Sequence, residues 1–212
     1  MPRGVGGGPV RALRAGAVTA WVESVSDRSL VPTLDRVRTH DAVADAALAM
    51  GVTPLPVRFG QTFESDDECL EALRAQEPRL VRDLERVDGL VEMRLVIALA
   101  DARPTDAEID PDTPGRAYMQ RLLRTRGTEQ SVHATAATVR AQLSALVQPY
   151  IHGEEFVIAS SPTAVLTLSH LVARGDVASY RAAMNAATPG AHVARMVVCG
   201  PVAPYQFVSP PA

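Results

Sequence analysis

The residues of this sequence best suited to covalent chemistry are its two cysteines, Cys69 and Cys199. A reactive thiol needs a nearby base or a positive helix end that favours the thiolate, and the residues beside Cys199 provide neither. The cysteines are far apart, and neither has a neighbour at the spacing of a metal site or a disulfide framework. We therefore expect no catalytic thiol, and we predict that Cys199 is a small buried apolar residue.

Metal chemistry would require three or four side chains that converge on one point. The histidines are scattered, at His40, His133, His152, His170 and His192. The segment 152–155 contains possible ligands, but no helical histidine pair accompanies it, and we interpret it as a solvent-exposed loop. The acidic run 106–112 fails as an EF-hand because Pro111 occupies its sixth position, where glycine is required. The sequence thus predicts no metal and no cofactor.

The sequence also lacks the patterns of nucleotide and nucleic-acid binding. The glycine-rich stretch 4–8 resembles a dinucleotide loop, but no strand precedes it and Pro9 replaces the third glycine. The basic run 116–126 has no aromatic platform, so we interpret it as a solvent-exposed helix face. A net charge of −3 and the lack of an apolar run of about 20 residues argue against nucleic-acid and membrane binding. These features predict a soluble, cytoplasmic protein that is not an enzyme.

The elements that would position these residues follow an α+β pattern in the first half of the chain. Strands are expected at 9–14, 17–22, 55–59 and 90–100, and helices at 32–50 and from 65 onward. Ser65 and Glu68 form a capping box at the start of the second helix, and Pro78 predicts a kink or break within it. His40, Asp41 and Asp45 are expected to lie on the ordinary surface of the first helix. The strand at 90–100 alternates, with Glu92 on its polar face.

The second half of the chain begins after a polar, proline-containing linker at 103–115, which separates two predicted domains, 1–102 and 116–212. A long helical stretch is expected at about 116–148, as one helix or as two. Its apolar residues have the spacing of a coiled-coil seam: Val132, Ala136, Val139, Leu143 and Leu146. Packing of this face on its own domain is an equal alternative.

The last third of the chain has weaker local signals. The run 164–174 is predicted as a strand, with a helix as the alternative, because apolar runs of this length are ambiguous. A short helix to about 187 and a strand at 193–199 follow. We expect this strand to break at Gly200 and Pro201, and the proline-rich tail to be extended.

Two segments are similar to signature stretches of a known family. They are 53–63, Thr-Pro-Leu-Pro-Val-Arg-Phe-Gly-Gln-Thr-Phe, and 197–208, Val-Val-Cys-Gly-Pro-Val-Ala-Pro-Tyr-Gln-Phe-Val. Both resemble the gas vesicle protein F/L family. The segment 84–94 resembles its leucine helix, glycine and glutamate-bearing strand, and 114–119 resembles its Gly-x-x-Tyr-Leu helix start. Four matches in the family's order, along nearly the whole chain, are far more specific together than any one alone.

Two features depart from the family pattern. Val202 and Ala203 stand where the family usually has Trp-Pro ahead of the final Pro-Tyr. An additional first strand usual in the family has no counterpart before the glycine-rich stretch. We expect either a true start upstream of Met1 or a sheet edge that is left open for pairing with another chain.

The resemblance implies an N-terminal ferredoxin-like α+β domain that lacks its first strand, and a C-terminal α+β domain with a long, coiled-coil-like helix. It also implies a chaperone-like accessory or minor structural protein of the gas vesicle. Such a protein would bind the hydrophobic shell protein and other accessory proteins, and would support assembly and nucleation by limiting aggregation. The residues that it assigns as signature or interaction positions are Arg58, Phe59, Gly60, Phe63, Tyr118, Gly200, Pro201, Pro204, Tyr205 and Phe207. The alternative is a ferredoxin-like regulatory or small-molecule-binding module.

Overall fold

The computed structural model describes residues 2–26, 30–100, 114–159, 164–188 and 190–208, with the backbone alone for 114–129. The chain forms two compact units, one made of Met1–Glu92 with Pro201–Ala212 and the other of Met93–Gly200. This division differs from the expected domains 1–102 and 116–212 because the C-terminal segment belongs to the first unit. The expected domain boundaries stay predictions.

The first unit begins with an antiparallel hairpin of β1 (Arg11–Ala15) and β2 (Val18–Val22). Gly16 in its turn has a φ of +60°, a backbone conformation that is unfavourable for residues with a Cβ atom. The side chain of Glu77 accepts a hydrogen bond of 2.7 Å from the backbone N–H of Ala17. The turn therefore closes tightly over a carboxylate.

Replacing Gly16 with alanine is expected to lower the free energy of unfolding by about 2 kcal/mol, from backbone strain and a weakened hydrogen bond. A Cβ atom at this position would lie 2.1 Å from a carboxylate oxygen of Glu77. Urea unfolding followed by the fluorescence of Trp21, the single tryptophan, measures the change. Gly51→Ala is the matched control, because its φ is +84° and a Cβ there meets nothing within 4 Å. An equal loss in both variants would contradict the role of Glu77.

Two helices follow the hairpin, α1 (Leu34–Ala49) and α2 (Asp66–Val87). The predicted cap of α2 is confirmed, since the side chain of Ser65 accepts the backbone N–H of Glu68 at 3.2 Å. The helix runs without a break through Pro78, so of the predicted kink or break the break is wrong and the kink stays a prediction.

The segment between these helices contains no strand, and the strand predicted at 55–59 is wrong. Pro54 and Pro56 have no N–H groups, so they cannot donate the alternate hydrogen bonds that a strand ladder needs. The segment is anchored differently: the hydroxyl of Thr53, which is buried, donates to the carbonyl of Leu90 at 3.0 Å.

The remaining elements are β3 (Leu90–Leu99), α3 (Pro114–Val147), β4 (Ile151–Ala159), β5 (Val165–Ala173), α4 (Val177–Ala186) and β6 (Val193–Val202). Among the described residues, four strands form one sheet in the order β4-β5-β3-β6. The strand interpretation of 164–174 is confirmed over the helical alternative. The loop predicted at 152–155 is wrong, because these residues belong to β4. The final strand also continues through Gly200 and Pro201 instead of breaking there.

The core of the second unit lies between this sheet and the helices α3 and α4. Alternate residues of β3 are buried, as predicted, although Glu92 on the expected polar face is buried too. The helix α3 is continuous across 127–129, and it buries Val132, Ala136, Val139, Leu143 and Val147 in the core of its own unit. Leu146, predicted as the last seam residue, is exposed. Cys199 is exposed as well, so its predicted burial is wrong.

Candidate functional site

The first signature segment, 53–63, is held against the middle of α1 by a histidine. The Nε2 atom of His40 lies 3.0 Å from the carbonyl oxygen of Val57. The ring of His40 also meets that of Phe59 edge to face, with 5.7 Å between centroids. His40 was predicted to be ordinary helix surface, but it fixes the backbone of the signature segment.

The second signature segment, 197–208, is bonded to the same turn of α1 at Asp41, the residue that follows His40. The hydroxyl of Tyr205 donates to Oδ1 of Asp41 at 2.8 Å. Because His40 and Asp41 are adjacent, one turn of α1 binds the first signature segment and the part of the second, 201–208, that belongs to the first unit. We call this arrangement of 53–63 and 201–208 on α1 the signature clasp.

The end of the clasp is anchored at α2 and at the start of β3. Arg86 donates from Nη2 to the carbonyl of Phe207 and, at 3.2 Å, to the buried carboxylate of Asp83. The backbone N–H of Gln206 donates to Oε2 of Glu92 at 2.9 Å. These bonds satisfy polar groups that would otherwise be costly to bury. They also place the side chain of Phe207 in the interior, with 7% of its surface exposed.

A second cluster of polar side chains, some buried and some half-buried, lies in the second unit around Glu154 of β4. Its carboxylate accepts from Arg140 Nε at 2.5 Å and from the hydroxyl of Ser144, both on α3. The Nε2 atom of His170 on β5 lies 2.9 Å from Glu154 Oε2, and its Nδ1 atom lies 2.7 Å from the hydroxyl of Tyr180 on α4. His170 and Tyr180 have no exposed surface. The chain of bonds thus connects four elements of the unit.

The environment sets the protonation of this cluster. Burial favours the neutral form of Glu154, but hydrogen bonds from Ser144, Arg140 and His170 outweigh it and lower the pKa of the carboxyl group. Burial lowers the pKa of His170 despite the neighbouring carboxylate, and it raises the pKa of Tyr180 far above its usual value. Near pH 7 the carboxylate is charged, and the imidazole and the phenol are neutral.

The sequence and the fold of this chain have counterparts among known proteins. A sequence model of the family described as "Gas vesicle synthesis protein GvpL/GvpF" matches residues 1–209. The chain belongs to the GvpL/GvpF family. It is 29% identical to "Gas vesicle protein L" of Streptomyces sp. (strain CB03234) over 96% of this chain and 85% of that protein. It is 27% identical to "Gas vesicle protein F" of the same strain, over 94% and 88% of the two chains.

Solved structures of GvpF proteins have a similar fold. The crystal structure of GvpF from Anabaena sp. PCC7120 superposes with a TM-score of 0.76 at 14% identity, and the match covers 100% of this chain and 90% of that one. GvpF from Microcystis aeruginosa gives a TM-score of 0.75 at 13% identity, over 98% and 91% of the two chains. The GvpL/GvpF fold is therefore mixed α+β in this chain too, as predicted.

The predicted signature residues of this GvpL/GvpF family member lie in both units and differ in their exposure. In the first unit, Arg58, Gly60 and Pro201 are exposed, Phe59, Phe63 and Tyr205 are half-buried, and Pro204 and Phe207 are buried. Gly200 lies in the second unit within β6, with a φ of +100°, and its carbonyl accepts from Arg181. It is a strand residue and not the turn residue that the sequence suggested. The side chain of Tyr118 lies outside the described residues.

Sequence reasoning missed three side chains that organise these sites. His40 and Asp41 were assigned to helix surface, and their partners lie 17 and 164 residues away in the chain. His170 was treated as one of five scattered histidines. Only the register that places Glu154 opposite His170 in β4 and β5 reveals its partner.

Neither a metal cluster nor a membrane span is found in the part of the chain that the structure describes. Among those residues, no three or more His, Cys, Asp or Glu side chains are grouped so that they could bind a metal ion. None of the helices searched has the length and apolar character needed to cross a bilayer.

Proposed function

We propose that this GvpL/GvpF family member is an accessory or minor structural protein of gas vesicle assembly. It binds the hydrophobic shell protein and other accessory proteins, and it limits aggregation of the shell protein before that protein polymerises. It works by protein–protein contact in the cytoplasm and at the vesicle, without catalytic turnover, cofactor, nucleic acid or membrane. Membership of the family supports this role, since its relatives are named as gas vesicle proteins.

The observation that carries the proposal is a set of exposed apolar side chains around α1 and the first signature segment. In the first unit, the large apolar residues that are exposed among those described are Val31, Leu34, Met50, Val52 and Val57. Single exposed apolar residues are common on protein surfaces. Five such residues lie within 27 positions of the chain, at the two ends of α1 and within or just before the first signature segment, and we propose that they are separate anchor points for an apolar partner.

The signature clasp favours binding because it fixes the backbone that carries these side chains. Val57 is bonded through its carbonyl to His40, and Thr53 beside Val52 is bonded to the start of β3. A segment that is already ordered loses less conformational entropy on binding than a free loop. Arg58, Phe59, Gly60 and Phe63 belong to the same segment, and we propose that they contribute to the contact. Pro201, Pro204, Tyr205 and Phe207 support it from the other side of the clasp. Gly200 and Tyr118 belong to the second unit, and we propose for them an interaction role of their own as family-signature positions.

Co-expression with the shell protein tests the proposal through the amount of shell protein in the soluble fraction. The wild-type chain is expected to increase that amount. The double variant Val52→Asp/Val57→Asp should weaken the binding at least about tenfold, because a carboxylate in an apolar contact loses its hydration. The backbone bond from Val57 to His40 is unchanged by this substitution.

Val157→Asp is the matched control, because Val157 in the second unit is exposed to 56%, as is Val52. It should leave the soluble amount unchanged. Trp21 fluorescence verifies that the double variant is folded, and circular dichroism verifies the same for the control in the second unit. Equal effects of the control and the double variant would exclude this surface. No change in solubility with the folded wild-type chain would overturn the proposed function itself.

A further inference from the structure

His170 occupies a position that the proposed function does not use. Its ring has no exposed surface and lies between Glu154 of β4 and Tyr180 of α4. A carboxylate can only accept hydrogen bonds, so Nε2 carries the proton of the neutral imidazole and donates it to Glu154. The other nitrogen, Nδ1, then accepts from the hydroxyl of Tyr180. Every hydrogen-bonding group between the three side chains is satisfied in this single protonation state.

A second proton on His170 changes the two contacts in opposite directions. On the Nε2 side, the bond to Glu154 becomes a charged pair and is strengthened. On the Nδ1 side, the nitrogen becomes a donor, so the hydroxyl of Tyr180 has to accept and its own proton loses the imidazole as acceptor. Because Tyr180 is fully buried, water cannot replace that acceptor while α4 stays in place. Protonation of His170 therefore weakens its contact with α4 and not its contact with β4.

We propose that His170 is a proton-operated latch, which holds α4 on the sheet while the imidazole is neutral and releases it when the imidazole becomes charged. Tyr180 and Met184 are the buried residues of α4, so release would expose the apolar surface that they cover. This inference is independent of shell-protein binding, because its residues lie in the second unit and none belongs to the proposed contact.

The charged and titratable groups around His170 come from three elements. Glu154 on β4 favours the imidazolium, and Arg140 on α3 disfavours it. Tyr180 on α4 is neutral over the whole accessible pH range because burial raises its pKa. The residues that β3 contributes to the core of this unit are apolar, Met93 and Leu95 among them. The direction of the response is therefore set by burial, which keeps the pKa of His170 below its ordinary value of 6.5.

Opening of α4 should consequently become easier as the pH falls. Between the lowered pKa of His170 in the closed state and its ordinary value of about 6.5, the open state binds more protons than the closed state. The stabilisation of the closed state by neutral His170 is therefore complete above pH 6.5 and is lost as the pH falls below it. At pH 5.5 the opening equilibrium of α4 should be raised by up to about tenfold relative to pH 7.5.

Hydrogen exchange of the full chain at these two pH values, corrected for intrinsic exchange rates, measures the opening. Peptides from 177–186 should lose protection up to about tenfold at the lower pH, whereas peptides from α2 in the first unit should not. His170→Gln, which keeps an amide donor but cannot titrate, should abolish the pH effect. His152→Gln, an exposed histidine on β4, is the control and should retain it. Equal protection of wild-type α4 at both pH values, or the same loss in His170→Gln, would overturn the proposal.

A second measurement does not depend on any variant. Nitrogen-15 spectra of the histidine rings in the wild-type protein report the protonation of each ring nitrogen. At pH 7 His170 should be neutral with its proton on Nε2, and it should gain the second proton only below pH 6.5, the ordinary value for a histidine. An imidazolium at pH 7, or a proton on Nδ1, would contradict the latch even if His170→Gln failed to fold.

Discussion

Replacing Phe207 with alanine is expected to lower the free energy of unfolding of the first unit by about 3 kcal/mol, near the lower limit for loss of a buried aromatic side chain. Phe207 is the most buried aromatic residue of the two signature segments, with 7% of its surface exposed. Its backbone carbonyl and the preceding N–H are bonded to Arg86 and Glu92. The ring is held in place by these bonds, so the surrounding residues cannot readily close the cavity that the substitution leaves.

Urea unfolding followed by Trp21 fluorescence measures this loss, because Trp21 lies on β2 of the first unit. The matched control is Gln206→Ala. Gln206 is exposed, and its bond to Glu92 uses the backbone N–H, which alanine retains. The control should change the free energy of unfolding by less than about 0.5 kcal/mol. A loss in Phe207→Ala no larger than in this control would mean that the C-terminal segment does not stabilise the unit.

The elements that the sequence predicted well are those whose signals are local. Ser65 and Glu68 are three residues apart, which is the spacing of a helix cap, and α2 begins there. The alternation of apolar residues along β3 requires no knowledge of any other element. Such signals depend on the backbone geometry of one helix or one strand, and they are readable without a tertiary structure.

The elements that the sequence mispredicted are those defined by distant partners. Polar residues at 152–155 suggested a loop, but the carboxylate of Glu154 accepts hydrogen bonds from Arg140 and His170 within the second unit. Residues 55–59 have the apolar content of a strand, yet the prolines around them favour a segment that lies along α1 instead. In both cases tertiary contacts decide the structure, and local propensity is overridden.

The sequence predicted the two signature segments of the candidate site, but not the contacts that join them to α1. Resemblance to the family identified the two signature segments, including Phe59 and Tyr205. Nothing in the sequence indicates that His40 and Asp41 fasten both, since Tyr205 and Asp41 are separated by 164 positions. A contact of this range depends on the path of the whole chain, which no local pattern encodes.

Replacing Glu154 with alanine is expected to lower the free energy of unfolding of the second unit by about 3 kcal/mol, because it leaves one buried and two half-buried donors without their acceptor. The donors are the side chains of Arg140, Ser144 and His170. His170 has no exposed surface, so water cannot reach its Nε2–H without local opening. Arg140 and Ser144 are partly exposed and can recover hydration, so the loss belongs mainly to His170.

Glu155→Ala is the matched control for this prediction. Glu155 is the next residue of β4, and successive side chains of a strand point to opposite faces; it is exposed, whereas Glu154 is half-buried. Urea unfolding monitored by circular dichroism at the helix band, to which the 34 residues of α3 contribute most, should show a loss only in Glu154→Ala. Equal losses in both variants would exclude the buried cluster as the cause.

The pH dependence of the free energy of unfolding tests the contribution of Glu154 in a second, independent way. The folded state lowers the pKa of Glu154 from its ordinary value of 4.5. Its contribution is therefore fully present above about pH 4.5 and is lost as the pH falls through the lowered value. The difference in stability between the wild-type chain and Glu154→Ala should be largest near pH 7 and should shrink below pH 4.5. A difference that stayed constant down to pH 3 would mean that the carboxylate charge does not hold β4 against α3.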